Sequence, residues 1–141
     1  SPIWNFDKEG DNWQFIYPNY KDIPLLVNTV FHSDVVINVG STMAHDFAMF
    51  SKPAIYFNYN PVISQEWNIE MIYKFQHFKS SMNNLSPVYW LNSKNDTLNV
   101  LNEALNSSKN TKQIIDGQKW LDVISNHRKT ASQNIVNHLN N

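Results

Sequence analysis

The segment that most constrains the fold is residues 34–57, which read DVVINVGSTMAHDFAMFSKPAIYF. It contains two short runs, residues 35–39 and residues 54–57, that are apolar at nearly every position. Such runs are typical of strands that are covered on both faces of a parallel sheet. Residues 42–50, between them, carry apolar side chains at helical spacing. The segment therefore predicts a strand, a helix and a second strand parallel to the first.

The rest of the chain continues this alternation. Further strands are predicted over residues 13–17, ended by Pro18, and over residues 88–91. Helices are predicted over residues 22–32, with Asp22 as the N-cap, and over residues 66–79. A capping box of Ser93 and Asp96 predicts a helix whose apolar side is formed by Leu98, Leu101 and Leu105.

Strands that alternate with helices predict an α/β protein with an open parallel sheet. Residues 1–12 are expected to form a loop, residues 13–105 the α/β core, and residues 111–141 two helices broken near Asn126. The 141 residues are 42% hydrophobic, which fits a single domain with a sizeable core. We therefore expect one domain over residues 1–141.

Composition excludes several classes of protein. The formal net charge is −1, which leaves no basic surface for nucleic acid. The chain has no Cys, and its five His residues lack metal-ligand spacing, so neither a disulfide framework nor a metal site is expected. No apolar run approaches membrane-spanning length and no signal peptide is visible, which predicts a cytoplasmic protein.

Gly40, Ser41 and Thr42 stand where the first strand of the opening segment gives way to its helix. Ligands of parallel α/β sheets bind at the carboxyl ends of the strands. Gly40 lets the backbone turn and lets a ligand approach closely, and the two hydroxyls and free N–H groups of a helix start favour an oxyanion. Asp46, one turn later, is placed to accept hydrogen bonds from ribose hydroxyls. Phosphate donors followed by a ribose acceptor predict a nucleotide site.

A simpler alternative is that Ser41 only caps the helix, because a strand, a glycine and a serine precede a helix in many α/β proteins. The dinucleotide fingerprint GxGxxG and the phosphate-binding GKS or GKT are both absent from the sequence. The turn alone therefore fits either a ligand site or a simple helix cap.

A longer pattern covers residues 24–61, PLLVNTVFHSDVVINVGSTMAHDFAMFSKPAIYFNYNP. A helix ending in HSD, an apolar strand, NVGST, an acidic residue six positions after the glycine, KP and another apolar strand follow in order. This run resembles the C-terminal, donor-binding domain of GT-B glycosyltransferases, as found in bacterial surface-polysaccharide glycosyltransferases and CDP-glycerol glycerophosphotransferases. The later YKFQHFKS and SKNDTLNVLNEAL extend the resemblance over most of the chain. It implies half of a GT-B fold: a Rossmann-like parallel sheet with helices on both faces and a helical C-terminal tail.

The resemblance also implies a role for each candidate residue. Gly40, Ser41 and Thr42 would bind the pyrophosphate of a nucleotide-sugar, and Asp46 would bind its ribose. Tyr17, Pro18 and Tyr20 would line the nucleobase pocket. The sugar would be bound by Asn60, Gln65, Glu66 and His77; a helix-surface or packed position is the alternative for His77.

The activity implied is sugar transfer from a UDP- or CDP-linked donor to an acceptor in bacterial surface-polysaccharide synthesis, with no cofactor besides that co-substrate. The catalytic base of inverting relatives comes from the N-terminal domain, so no catalytic residue is assigned. This chain alone is expected to bind donor without turnover. The expected partner is an N-terminal acceptor domain, and the full-length enzyme would associate peripherally with a membrane.

Other functions fit the same residues. A polyol-phosphate transferase or a sugar-nucleotide epimerase can use the same fold. A non-catalytic module for nucleotide binding or protein interaction is the third alternative.

Overall fold

The computed structural model of this chain describes residues 4–6, 16–62, 67–125 and 130–139. The chain divides into two compact units, Ser1–Asp34 and Val35–Asn141. The boundary falls inside the predicted α/β core, between its first helix and the strand that precedes Gly40. No helix within the described ranges is long and apolar enough to cross a membrane.

Two short strands belong to the first unit. β1 (Trp4–Phe6) and β2 (Ile16–Pro18) pair antiparallel, with Asn5 opposite Tyr17. The predicted loop over residues 1–12 is therefore wrong for β1, and the strand predicted over residues 13–17 pairs with β1 instead of adding to the parallel sheet. Residues 13–15 of that prediction lie outside the described residues. A pattern of three residues is too short to identify a strand, and the sequence of one strand does not specify its partner.

α1 (Asp22–His32) is the helix that the sequence predicts. Its start differs, because Asp22 is not the capping residue. The Asn19 side chain accepts a hydrogen bond from the Lys21 N–H at 3.1 Å, and the Asp22 carboxylate accepts one from the Asn19 N–H at 2.8 Å. This reciprocal pair has the form of a capping box, with Asn19 in the N-cap role.

The second unit contains a three-stranded parallel sheet in the order β3-β4-β5. β3 (Val36–Asn38) pairs with β4 (Ala54–Phe57), and β4 pairs with β5 (Tyr89–Leu91). α2 (Met43–Met49) connects the first two strands. The strand, helix and parallel strand predicted for residues 34–57 are therefore confirmed, and so is the α/β class.

Four more helices follow within the described residues, and the first of them, α3 (Ile69–Tyr73), is much shorter than predicted. Phe75 has an extended backbone, and a kinked turn, Gln76–Ser80, follows it. Phe78 is buried in the same core cluster as Tyr73, so the break lets the chain bury both rings without one continuous helix. The other helices are α4 (Thr97–Leu105), α5 (Lys112–Ile124) and α6 (Ala131–Leu139). α5 ends at Ile124 and α6 begins at Ala131. Asn126, near which the break is predicted, lies outside the described residues.

Helices flank both faces of the sheet. Successive residues of β4 point to opposite faces, and Tyr56 and Ile55 accordingly belong to different core clusters. The Tyr56 cluster includes residues of α2, α3 and α5, and both Tyr56 and Trp120 are 0% exposed. The Ile55 cluster includes Ala104 of α4.

The apolar side of α4 differs from the prediction. The residues that face the core are Val100, Leu101 and Ala104, whereas Leu98 and Leu105 are 68% and 50% exposed. Ser93 and Asp96 do pair, through a side-chain hydrogen bond of 2.7 Å. A short 3-10 turn, Lys94–Asp96, precedes the α-helix.

α5 is part of the core rather than a tail. It runs antiparallel to α2: Gly117 lies against the Ala48 Cβ, and the Trp120 ring lies against His45. The Gln118 side-chain amide donates a hydrogen bond to the Ala48 carbonyl near the end of α2. Sequence patterning places these residues on a helix but does not identify the helix against which they pack.

Asp116 of α5 is a buried carboxylate that links this helix to the loop before β5. It accepts a hydrogen bond from the Ser86 N–H at 2.8 Å and another from the Lys112 ammonium group. Lys119 lies farther away, with 3.7 Å between Nζ and Oδ1. Burial raises the pKa of Asp116, but the hydrogen bonds from Lys112 and Ser86 outweigh burial and hold the pKa below its ordinary value.

We expect Asp116→Ala to lower the free energy of unfolding by about 1–3 kcal/mol, because the Ser86 N–H loses its acceptor. Urea denaturation of the chain would measure the change. Lys119→Ala is the matched control and should cost less than about 1 kcal/mol, because its ion pair is long and exposed to solvent. Equal losses in the two variants would contradict this assignment.

Candidate functional site

Three asparagines mark the carboxyl edge of the parallel sheet. Asn38 is the last residue of β3, Asn58 follows β4, and Asn92 follows β5. The carboxyl ends of parallel strands lie at one edge of a sheet, which is where ligands of open α/β sheets bind. The Gly40 turn lies at this same edge, so the structure places the predicted phosphate-binding residues where a ligand site is expected.

The turn from Gly40 to Thr42 is held by its own hydrogen bonds. The Ser41 N–H donates to the Asn38 side chain at 3.0 Å, and the Met43 N–H donates to the Ser41 hydroxyl at 3.2 Å. The Ala44 and His45 N–H groups donate to the carbonyls of Ser41 and Thr42. Among the described residues, the N–H groups of Gly40 and Thr42 and the Thr42 hydroxyl have no partner. Ser41 therefore acts as a cap in this structure, and Thr42 offers the free donors.

Gly40 is required by its conformation and by its neighbours. Its φ of +59° lies in the left-handed region, which favours glycine. A Cβ at this position would lie 2.6 Å from Ile72 Cγ2 and 3.1 Å from Tyr73 Cε1. The sequence suggests a glycine that makes room for a ligand, whereas the structure shows that α3 occupies this space. Binding of a pyrophosphate by Gly40, Ser41 and Thr42 stays a prediction.

A cavity of about 340 Å³ opens at the carboxyl ends of β4 and β5. The described residues that line it are Asn58, Tyr73, Trp90 and Asn92. The Asn58 Nδ2 donates a hydrogen bond to the Asn92 Oδ1 at 2.7 Å, which joins the ends of the two strands. The wall therefore combines two amides with two aromatic rings.

Tyr73 connects this cavity to the Gly40 turn. Its ring lies against Gly40, and its hydroxyl donates a hydrogen bond to the Phe57 carbonyl at the end of β4. Burial raises the pKa of Tyr73, so the hydroxyl stays protonated and keeps donating. The Trp90 ring meets it edge-on, with 5.0 Å between centroids and an interplanar angle of 84°. These contacts fix the orientation of both aromatic walls.

Sequence reasoning missed the residues that line this cavity. A signal for two of them is present, because an asparagine directly follows both apolar strands in YFN and WLN. Polar residues at the carboxyl ends of parallel strands are candidate ligand contacts. The part played by Tyr73 and Trp90 has no local signal, since aromatic residues in these segments are equally typical of a core.

Asp46 lies on α2 and is partly exposed. It has no hydrogen bond or ion pair among the described residues, and burial raises the pKa of its carboxyl group above the ordinary value. The carboxylate is therefore free to accept hydrogen bonds from a ligand. Binding of ribose by Asp46 stays a prediction.

His45, next to it, packs inward. Its ring meets the Trp120 ring edge-on, with centroids 4.0 Å apart, and its Nε2 is buried without a partner among the described residues. Burial, and secondarily the charge of His77, lowers the pKa of His45 to about 4. The structure therefore gives His45 a packing role.

A second cavity, of about 480 Å³, contains His77. Its other described lining residues come from the kinked turn and the segment after it, and from the end of α5: Gln76, Ser81, Asn83, Val123 and Ile124. His77 does not line the cavity that contains Asn58 and Asn92. Sugar binding by His77 stays a prediction, now with a different set of neighbours.

The other predicted site residues lie on different segments of the chain. The Asn60 side chain accepts a hydrogen bond from the Ile69 N–H at 2.8 Å, so it holds the start of α3. Gln65 and Glu66 lie outside the described residues. Tyr17, Pro18 and Tyr20 belong to the first unit and are exposed. The described ranges contain no group of three His, Asp or Glu residues that could hold a metal ion.

Comparison with protein-family models, with curated proteins and with solved structures found no match for this chain. The fold and the site therefore define the class directly: an α/β protein whose Rossmann-like parallel sheet is flanked by helices and has an open cavity at its carboxyl edge.

We expect Gly40→Ala to lower the free energy of unfolding by at least about 2 kcal/mol, because it combines left-handed strain with a clash against Ile72. Gly117→Ala is the control, since its Cβ would make an ordinary contact of 3.4 Å with the Ala48 Cβ. That variant should gain up to about 1 kcal/mol from helix propensity. Chemical denaturation of both variants would measure the difference, and a neutral Gly40→Ala would contradict it.

His45 predicts a pH dependence of stability. Its pKa is about 4 in the folded chain and about 6.5 in an unfolded chain. The unfolded state therefore binds more protons between these values, so stability is full above about pH 6.5 and falls as the pH drops toward 4. Urea midpoints across this window should fall less in His45→Gln than in the unmodified chain. His138→Gln, at an exposed position of α6, should keep the full dependence; identical profiles for all three would contradict the prediction.

Proposed function

We propose that this chain is the donor-binding domain of a glycosyltransferase, half of a GT-B fold, that transfers a sugar from a nucleotide-sugar in bacterial surface-polysaccharide synthesis. The observation that carries the proposal is the cavity lined by Asn58, Tyr73, Trp90 and Asn92 at the carboxyl ends of parallel strands. A nucleotide-sugar needs a phosphate-binding turn beside a pocket with polar groups. Tyr73 borders both the Gly40 turn and the cavity, which supports the two lying next to each other.

The proposed roles follow from the hydrogen-bonding groups that have no partner among the described residues. Thr42 would donate its N–H and its hydroxyl to the diphosphate, together with the Gly40 N–H. α2 has 7 residues, so we assign the phosphate contact to these donors rather than to the dipole of the helix. Asp46 would accept hydrogen bonds from the ribose. Departure of the nucleoside diphosphate leaves negative charge on its oxygens, and fixed donors stabilise such charge as it develops.

The remaining parts of the enzyme belong to the proposal as well. An N-terminal domain would bind the acceptor and supply the catalytic base, and the complete enzyme would work in the cytoplasm at the membrane surface. The nucleotide-sugar is a co-substrate, so no further cofactor is proposed. The chain by itself is expected to bind donor and not to transfer sugar.

Isothermal titration calorimetry with UDP, CDP and GDP tests the proposal on the chain itself. We expect one nucleotide to bind with millimolar or tighter affinity, and Thr42→Ala and Asp46→Ala each to weaken binding about tenfold, which is the order of one hydrogen bond to a charged group. Thr29→Ala is the control, because the Thr29 hydroxyl is already bonded to the Leu25 carbonyl of its own helix at 2.8 Å. Absence of heat with all three nucleotides would overturn the proposal.

A further inference from the structure

The cavity at the ends of β4 and β5 has an uncharged lining among the described residues. Among the described residues that line it, Asn58, Tyr73, Trp90 and Asn92, none carries a charge. An anionic group placed there would lose part of its water shell without gaining a countercharge from these residues, which is unfavourable. The lining therefore suits a ligand that is polar and neutral.

The two asparagines present a matched set of donors and acceptors. Asn58 uses one N–H of its amide in the 2.7 Å bond to Asn92 Oδ1. The second N–H and the Oδ1 of Asn58, and both N–H groups of Asn92, have no partner among the described residues. Both side chains are exposed to solvent. Neighbouring sugar hydroxyls, each of which donates and accepts a hydrogen bond, complement such a pair.

Trp90 supplies an aromatic side chain to the lining. Its ring is partly buried and meets the rings of Tyr73 and Tyr56 edge-on, at centroid distances of 5.0 Å and 5.8 Å. Tyr73 is in turn fixed by its hydrogen bond to Phe57. Trp90 is therefore held in one orientation before any ligand arrives, which reduces the entropy cost of packing a ring against it.

The size of the cavity limits the ligand. Its volume of about 340 Å³ lies at the lower end of the range of about 300–1,000 Å³ for small-molecule sites. It therefore suits a single sugar ring better than an oligosaccharide.

We propose that this cavity binds the sugar ring of the donor and selects an uncharged hexose over an acidic sugar. Asn58 and Asn92 would hydrogen-bond the sugar hydroxyls, and Trp90 would pack against the C–H face of the ring. The inference rests on the proposed function, because it takes the sugar to be the one carried by the bound nucleotide. It adds to that function the class of sugar and the three residues that recognise it.

Heteronuclear NMR of the isotope-labelled chain tests the inference. Methyl glucoside at millimolar concentration should shift the Trp90 indole N–H and the Asn92 side-chain amide signals. These signals are assigned by their absence from the spectra of Trp90→Phe and Asn92→Ala. Glucuronate should bind about tenfold more weakly, because its carboxylate finds no countercharge. Asn92→Ala should weaken glucoside binding about tenfold through the lost hydrogen bonds. Asn99→Ala, at an exposed position of α4, is the matched control and should change nothing.

Asn92→Lys provides a gain-of-function test. The new ammonium group would supply the missing countercharge, so glucuronate should bind this variant more tightly than methyl glucoside. The inference is overturned if glucoside leaves the Trp90 and Asn92 signals unshifted, if glucuronate binds the unmodified chain as tightly as glucoside, or if Asn99→Ala weakens binding as much as Asn92→Ala.

The same spectra separate the inference from the proposed function. UDP and CDP, added without sugar, should shift the Gly40 and Thr42 amide signals. Nucleotide shifts there without any glucoside shift at Trp90 would support the proposed function and overturn the sugar assignment. Glucoside shifts without nucleotide shifts would support sugar recognition and overturn the nucleotide site.

Discussion

The ring of Tyr73 ties the carboxyl ends of all three parallel strands together. It packs against Gly40 after β3, its hydroxyl donates a hydrogen bond to the Phe57 carbonyl at the end of β4, and its ring makes a T-shaped contact with Trp90 on β5. The residue comes from α3, so this side chain helps to fix the short helix to the rim of the sheet. The Gly40 turn and the aromatic wall of the cavity both depend on that position.

The strength of this arrangement comes from complementary constraints. Gly40 has no side chain, and Ile72 and Tyr73 occupy the space that a Cβ would need. Tyr56 stacks on Tyr73 and donates a hydrogen bond of 2.8 Å to the Ser41 carbonyl. Burial, and secondarily the neighbouring Tyr73, raises the pKa of Tyr56, so this hydroxyl also stays a donor. Both tyrosines therefore contact the turn, Tyr56 through a hydrogen bond and Tyr73 through packing. A ligand at the rim would meet a surface that is already ordered.

Much of the fold could be predicted from local pattern. The apolar runs around Gly40 are confirmed as parallel strands, because a run without alternation requires cover on both faces. What failed depends on contacts distant in sequence. The break after α3 lets Phe78 join the core, and the pairing of β2 with β1 is a choice of partner that neither strand encodes alone.

In the candidate site, too, local pattern predicts some features, whereas features that depend on contacts distant in sequence were missed. The position of Gly40, Ser41 and Thr42 at the sheet rim could be predicted, because a glycine after a buried strand indicates such a turn. The packing reason for the glycine could not, since Ile72 lies more than thirty positions later in the printed sequence. The cavity was missed for a related cause: Asn58 and Asn92 become neighbours only when β4 and β5 pair.

The contact between α5 and α2 decides where this α/β unit ends as a folding unit. Trp120 fills the interior beneath the sheet, and Gln118 satisfies a carbonyl of α2. The last strand and its following helix are complete by Leu105, yet the interior is closed by a segment nearly twenty residues further on. A domain boundary drawn after the visible strand-helix repeat would therefore cut through the hydrophobic interior, because Ile114, Trp120 and Leu121 of α5 are buried in it.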